Sequence, residues 1–126
     1  MATRLLLLAL AGAFGTLARY GLTLLVKTHF GGALPWGTWA VNTIGCFFFG
    51  LVWAMSENAP AFSQETRLVL LVGCMGAFTT FSTYIFESAT FFAAGMYGAM
   101  ALNFIGQNLL GFAAFLGGVA VLRQFA

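Results

Sequence analysis

Long apolar stretches alternate with short connections along the chain. A membrane-spanning α-helix needs about 20 mostly apolar residues, and four stretches qualify, at residues 5–26, 36–55, 68–94 and 98–122. The connections between them, at residues 29–35, 56–64 and 95–98, carry glycine, proline or a few charges. The pattern predicts an all-α integral membrane fold with four transmembrane helices, in a single membrane domain over residues 1–126.

The third apolar stretch contains a polar interruption. Residues 79–83 read Thr-Thr-Phe-Ser-Thr, and Gly73 and Gly76 precede them. Hydroxyl side chains compete for backbone hydrogen bonds and glycine weakens a helix, so the third helix is predicted to break here. Unwound backbone at membrane depth persists only where protein or a water-filled cavity satisfies it. Broken helices of this kind present helix ends and free carbonyls to ions near the midplane.

Composition excludes a soluble protein. Hydrophobic residues make up 61% of the chain and charged residues 6%, against about 25% charged in ordinary globular domains. The basic residues form no cluster, which argues against nucleic-acid binding. Cys46 and Cys74 both lie in apolar stretches and are expected to be free thiols that pack as small hydrophobes.

The N-terminal stretch shares some features with a secretory signal peptide, because Arg4 precedes four leucines and several small residues. The apolar run continues to Val26, whereas a signal peptide should end in a polar mature sequence. A retained first span is therefore expected.

The distribution of positive charge gives a weak orientation signal. Four spans place both termini and the 56–64 connection on one side, with Arg4, Arg67 and Arg123, and leave Lys27 on the other. This mild bias permits insertion in both orientations, and thus an antiparallel dimer, without demanding one.

Four carboxamides lie within the predicted spans, and the positions of three of them allow two interpretations. Asn42 is in the middle of the second span, and Asn103 and Gln107 are one turn apart in the fourth. Such groups either join helices by hydrogen bonds or pass a small anion between donors. Asn108 falls on a different face of the fourth helix and is expected in contacts within the bundle.

The polar interruption belongs to a longer motif. Residues 76–84 read Gly-x-x-Thr-Thr-Phe-Ser-Thr-Tyr, Glu87 follows, and residues 37–42 read Gly-Thr-x-x-Val-Asn. With Arg19 in the first span, these residues resemble the Fluc (CrcB) fluoride channel family over all four spans. The resemblance implies a passive, selective fluoride channel of the bacterial inner membrane, built as a dual-topology antiparallel homodimer with two pores at the subunit interface.

The resemblance also implies roles for individual residues. Phe81 and Tyr84 would line the pore with their positive ring edges, although many relatives have phenylalanine in place of Tyr84. Other side chains would supply hydrogen-bond donors to the ion in place of water: Asn42, Thr80, Ser82, Thr83, Asn103 and Gln107. Arg19 would lie in a vestibule and Glu87 near a pore end. Relatives often carry serine near Gln107. The carbonyls of Gly76 and Thr79, from both subunits, would hold a structural sodium ion.

Other classes of protein fit less well. A small dual-topology proton-coupled multidrug or cation transporter needs a membrane-embedded carboxylate, usually in the first span, which has none here; Glu87 is the intramembrane acid. A structural subunit, whose polar groups only pack helices together, is the third class. An enzyme is disfavoured, because His29 lies in a connection without a nucleophile or a set of metal ligands.

Overall fold

The computed structural model describes residues 1–58 and 62–124, and all regular structure within them is helical. We number the helices α1 (Ala2–His29), α2 (Trp36–Asn58), α3 (64–78), α4 (Phe81–Ala93) and α5 (Tyr97–Arg123). Helices α3 and α4 together form the third span, so four helical spans are long and apolar enough to cross a membrane. The predicted four-span architecture is confirmed, and residues 59–61 of the second connection lie outside the described part.

The third span is broken where the hydroxyl run begins. Helix α3 ends at Phe78, and both following residues are extended, Thr79 at φ −77° and ψ 158° and Thr80 at φ −142° and ψ 96°. Helix α4 then starts at Phe81. The break predicted from the hydroxyl run is therefore present at two residues, and it divides the span into two independent helices.

Wide π-helical turns occur in two of the spans. They cover Leu68–Met75 in α3 and Leu102–Gly106 in α5. A π-helical turn shifts the hydrogen-bond register and is frequent at functional sites. The second of these turns carries Asn103 and Phe104, which both enter the site described below.

A glycine turn joins α4 to α5. Gly95 has φ 71°, a left-handed conformation that glycine adopts without strain. The Gly95 amide donates to the Phe92 carbonyl, and the Met96 amide donates to the Phe91 carbonyl. These bonds satisfy the last carbonyls of α4 and let α5 begin at Tyr97, one residue before the predicted fourth span.

Close backbone contacts hold the spans together. A Cβ added at Gly118 of α5 would lie 2.1 Å from the Phe47 carbonyl oxygen of α2, and one at Gly15 of α1 would lie 2.3 Å from the Cys74 carbonyl oxygen of α3. Small residues permit such an approach, which is the usual means of packing helices within lipid. The packing of α2 on α5 brings Asn42 beside the fourth span, and α2 also reaches the break.

Candidate functional site

Asn42 of α2 caps the break in the third span. Its Oδ1 accepts a hydrogen bond from the Thr80 amide at 2.8 Å, and its Nδ2 donates to the Thr80 carbonyl over 3.4 Å. Unpaired backbone groups are costly at membrane depth. A single carboxamide from a neighbouring helix therefore pairs both backbone polar groups of the residue at the break.

The side chain of Thr80 caps the helix that follows. Its Oγ1 lies 3.4 Å from the Thr83 amide, from which it accepts, and it donates to Thr83 Oγ1 at 2.6 Å. A threonine at the N-cap position satisfies one of the free amides at a helix start. The hydroxyl run thus both interrupts the span and starts α4.

These two caps release the carbonyls of Gly76 and Thr79. In a continuous helix the Thr80 amide would donate to the Gly76 carbonyl, and the Thr83 amide to the Thr79 carbonyl. Here those amides donate to Asn42 Oδ1 and Thr80 Oγ1 instead. The described residues contain no cluster of three His, Cys, Asp or Glu side chains. The polar groups that the break itself exposes are backbone carbonyl oxygens, a type of ligand that hard cations accept.

A chain of carboxamides leads from Asn42 into the interior. Asn42 Nδ2 donates to Gln107 Oε1 at 3.0 Å, and Gln107 Nε2 donates to Asn103 Oδ1 at 2.8 Å. Asn103 Oδ1 also accepts from Trp39 Nε1 at 2.8 Å, and Asn103 Nδ2 donates to Ser88 Oγ at 2.9 Å. Asn103 has 0% of its surface exposed, so its side chain is enclosed within the chain.

A cavity of about 280 Å³ lies beside the break. It is partly open and combines amide groups, aromatic rings and small residues. Its lining is formed by Asn42, Gly45, Cys46, Phe49, Thr79, Phe81, Tyr84, Gln107, Asn108, Gly111 and Phe115. Four of the predicted pore residues, Asn42, Phe81, Tyr84 and Gln107, are brought together here. Asn103 is buried and does not line the cavity, and Thr80 is buried at the break.

Three aromatic rings form a row along the cavity. The Phe81 and Tyr84 ring centroids are 5.6 Å apart with the planes tilted by 53°, and Tyr84 stacks on Phe104 at 5.7 Å and 25°. Phe81 is 73% exposed, so most of its ring faces away from this chain. The row thus ends in a ring that is largely free of contacts within this chain.

Two residues that contact Tyr84, Phe104 and Asn108, are not among the predicted pore residues. Tyr84 Oη donates to the Phe104 carbonyl at 3.0 Å and accepts from Asn108 Nδ2 at 2.6 Å. Asn108 does contact the bundle as expected, but it also lines the cavity. Phe104 is one of many apolar residues in a span without charge, and nothing in the sequence separates it from rings that face lipid.

The other predicted site residues lie outside the cavity lining. Ser82 and Thr83 are on the exposed surface of α4, and Arg19 is half-buried on α1. Glu87 Oε1 accepts from Thr38 Oγ1 at 2.6 Å, while Glu87 Oε2 is buried and has no hydrogen-bond partner in the described residues. The predicted roles of these four residues in an ion path remain predictions.

The fold and the site together define a class of protein. The chain is a multi-pass helical membrane protein whose third span is broken beside a cavity of amides and aromatic rings. The family model described as CrcB-like protein, Camphor Resistance (CrcB), matches residues 6–119. The chain belongs to this family.

Several curated relatives match most of the chain. A protein of Solidesulfovibrio magneticus is 50% identical over 123 residues, covering 98% of each chain. One of Nitrosococcus oceani is 50% identical over 104 residues, covering 82% of this chain and 83% of the relative. One of Maridesulfovibrio salexigens is 47% identical over 118 residues, covering 94% of each. All three are named fluoride-specific ion channel FluC.

The cap at the break gives a first prediction. Replacing Thr80 with valine keeps the shape of the side chain but removes the oxygen that pairs with Thr83. We expect Thr80→Val to lower the free energy of unfolding by about 1 kcal/mol, measured by thermal unfolding in detergent micelles. Thr80→Ser keeps the oxygen and serves as the control. Equal stability of the valine and serine variants would contradict this account of the cap.

Proposed function

We propose that this protein is a passive, fluoride-selective ion channel of the bacterial inner membrane, which exports fluoride. The observation that carries the proposal is the cavity beside the broken span, lined by carboxamides and aromatic rings. The names of the CrcB relatives supply the identity of the ion. Their names are those of ion channels, so we assign no catalytic reaction to this chain.

The chemistry of the cavity suits a small anion. Asn42 Oδ1 and Gln107 Oε1 both accept from donors within the chain, and Asn42 Nδ2 donates to Gln107 and to the Thr80 carbonyl. The second amide proton of Gln107 is therefore available to an ion. Ring edges of Phe81 and Tyr84 carry partial positive charge. The described lining residues include neither a lysine nor an arginine that would bind the anion tightly. Conduction requires this balance, because an ion must enter the site and also leave it.

We propose that the channel is an antiparallel homodimer with a pore completed on each side of the interface. The open side of the cavity, the exposed ring of Phe81 and the exposed position of Gly76 support a partner on this face. Ser82 and Thr83 lie on the exposed surface of α4, where their hydroxyl groups would be further hydrogen-bond donors close to that partner. The weak charge bias between the two sides of the membrane is compatible with insertion in both orientations.

The released carbonyls support a structural sodium ion between the two subunits. Gly76 and Thr79 would contribute two oxygens from each subunit, and backbone oxygens suit a hard cation. The ion would supply a positive charge near the anion path without lining that path. Glu87 would stand near one pore end and Arg19 in a vestibule.

A proton-coupled multidrug or cation transporter is the second candidate. Such a transporter needs an ionisable carboxylate at its substrate site. Glu87, the intramembrane acid, lies outside the cavity lining and one of its oxygens is held by Thr38. The channel is therefore the better proposal, and the flux experiment separates the two.

Purified protein in liposomes should release fluoride in the absence of a proton gradient. The release should stop unless a counter-ion pathway such as valinomycin with potassium is present, because a passive channel moves net charge. Chloride release from matched vesicles should be far slower. A fluoride electrode and a chloride electrode measure both rates, and equal rates, or release that depends on a pH gradient, would reject the channel.

The ring edge of Phe81 should be essential to the flux. Phe81→Ile keeps an apolar side chain but removes the positive ring edge. We expect fluoride release to fall by at least about a hundredfold, which corresponds to a rise of about 3 kcal/mol in the barrier to passage. Phe86→Ile is the matched control, since Phe86 is 71% exposed on the same helix and lies outside the cavity lining. Gel filtration should show that both variants keep the oligomeric state of the parent. Full flux in Phe81→Ile would contradict the role of the ring.

Removal of sodium should weaken the dimer. The dissociation constant of the dimer in detergent should rise when sodium is replaced by a large organic cation at constant ionic strength, because the carbonyls of Gly76 and Thr79 would lose the ion that joins them. Potassium serves as a cation of intermediate size. A dissociation constant that is the same in all three salts would count against the sodium site.

A further inference from the structure

Three groups that can act only as a hydrogen-bond donor or only as an acceptor surround the carboxamides of Asn42, Gln107 and Asn103. The Thr80 amide and the Trp39 indole N–H can only donate, and the Tyr84 carbonyl can only accept. Ser88 Oγ donates to the Tyr84 carbonyl at 2.9 Å, so it can accept from Asn103 Nδ2. The direction of every hydrogen bond between these groups is therefore determined.

The resulting chain runs in one direction. Starting from the Thr80 amide, each carboxamide accepts through its oxygen and donates through its nitrogen, in the order Asn42, Gln107, Asn103, and the chain then continues to Ser88. Hydrogen bonds aligned in this way polarise and strengthen one another in a medium of low dielectric constant. A reversal of one carboxamide would set two donors or two acceptors against each other.

The direction of the chain decides what the cavity wall presents. All three carboxamide oxygens are engaged inside the chain, with Asn103 Oδ1 accepting from both Trp39 and Gln107. Asn42 Nδ2 already donates to Gln107 and, over 3.4 Å, to the Thr80 carbonyl, so the amide protons left over are one on Gln107 and one on Asn103. Gln107 lines the cavity and Asn103 does not, so the second N–H of Gln107 is the one that the wall can offer an ion.

We propose that Asn103, anchored by the Trp39 indole and the Ser88 hydroxyl, is a positioning residue that fixes the orientation of the Gln107 carboxamide and, through it, that of Asn42, and thereby the preference of the cavity for anions. This inference rests on the proposed function for its ionic consequence. Its structural part, the coupling of Trp39 and Ser88 to the Thr80 amide, concerns the chain alone.

The position of Asn103 fits this role. It is enclosed, does not line the cavity and is held by three partners on three sides, from α2, α4 and α5. Trp39 is itself well placed, since its ring lies against Gly106, where a Cβ would come within 2.4 Å of the indole. The indole is therefore closely packed against α5, in a position from which it donates to Asn103.

Two substitutions test the anchors, each with a matched control. Trp39→Phe removes the indole donor, and Trp36→Phe makes the same change at a neighbouring ring whose indole makes no hydrogen bond within the described residues. Ser88→Ala removes the hydroxyl that accepts from Asn103. Thr90→Val removes a hydroxyl of α4 that also donates to a carbonyl four residues earlier but does not touch the carboxamides.

Hydrogen exchange of the Thr80 amide, followed by NMR in micelles, is the first measurement. Loss of either anchor should let Asn42 turn away from Thr80 and accelerate this exchange by about five- to tenfold, as expected for one hydrogen bond. The Trp36 and Thr90 variants should match the parent. The second measurement is the ratio of fluoride to chloride release in liposomes, which should fall by a similar factor in the two anchor variants alone. A smaller number of folded channels would lower both rates and leave their ratio unchanged.

Unchanged exchange and an unchanged ratio in both anchor variants would overturn the inference, as would equal changes in the control variants. Faster exchange with an unchanged ratio would overturn the effect on anion preference. A parent protein that shows no preference for fluoride would reject the proposed function, and the exchange of the Thr80 amide would still decide whether Asn103 orients Asn42. If Trp39→Phe does not fold, the smaller change Ser88→Ala decides alone.

Discussion

The hydrogen bond from the Thr80 amide to the Asn42 carboxamide is the interaction on which the rest of the site depends. A spanning helix in lipid must pair its own backbone groups, and an interruption leaves some of them without partners. Asn42 replaces the missing helical partner at 2.8 Å and fixes α2 against the point where α3 gives way to α4. Without it the extended pair of residues would leave a buried amide unpaired, at a cost of about 1–3 kcal/mol.

The Thr80 amide donates to Asn42 and not to the Gly76 carbonyl, and this has two consequences. On the backbone side it frees the Gly76 carbonyl, and the parallel diversion of the Thr83 amide frees the Thr79 carbonyl. On the side-chain side it occupies the oxygen of Asn42, so that the Asn42 nitrogen donates to Gln107. The oxygens of the proposed cation site and the amide protons of the proposed anion path would thus have a common origin, and neither would need a charged side chain within the bilayer.

Much of this arrangement could be predicted from the sequence, because it depends on local chemistry. The four spans follow from the lengths of the apolar stretches, and the break follows from hydroxyl residues that offer the backbone alternative partners. The partners of Asn42 and Asn103 could not be predicted in the same way. A carboxamide both donates and accepts, so its role depends on which helices pack together and in what register. The π-helical turn at Leu102–Gly106, which sets that register in α5, has no evident signature in the residues.

The hydroxyl of Tyr84 shows how such a contact changes the interpretation of a residue's role. From the sequence alone, this hydroxyl could be an additional donor to the ion. In the structure the proton is committed to the Phe104 carbonyl, and the oxygen accepts from Asn108. A tyrosine held at its para position cannot swing about its Cβ as freely as a phenylalanine could. The hydroxyl therefore restrains the angle of the ring in the cavity wall, and in the proposed channel its effect on an ion would be exerted through the ring.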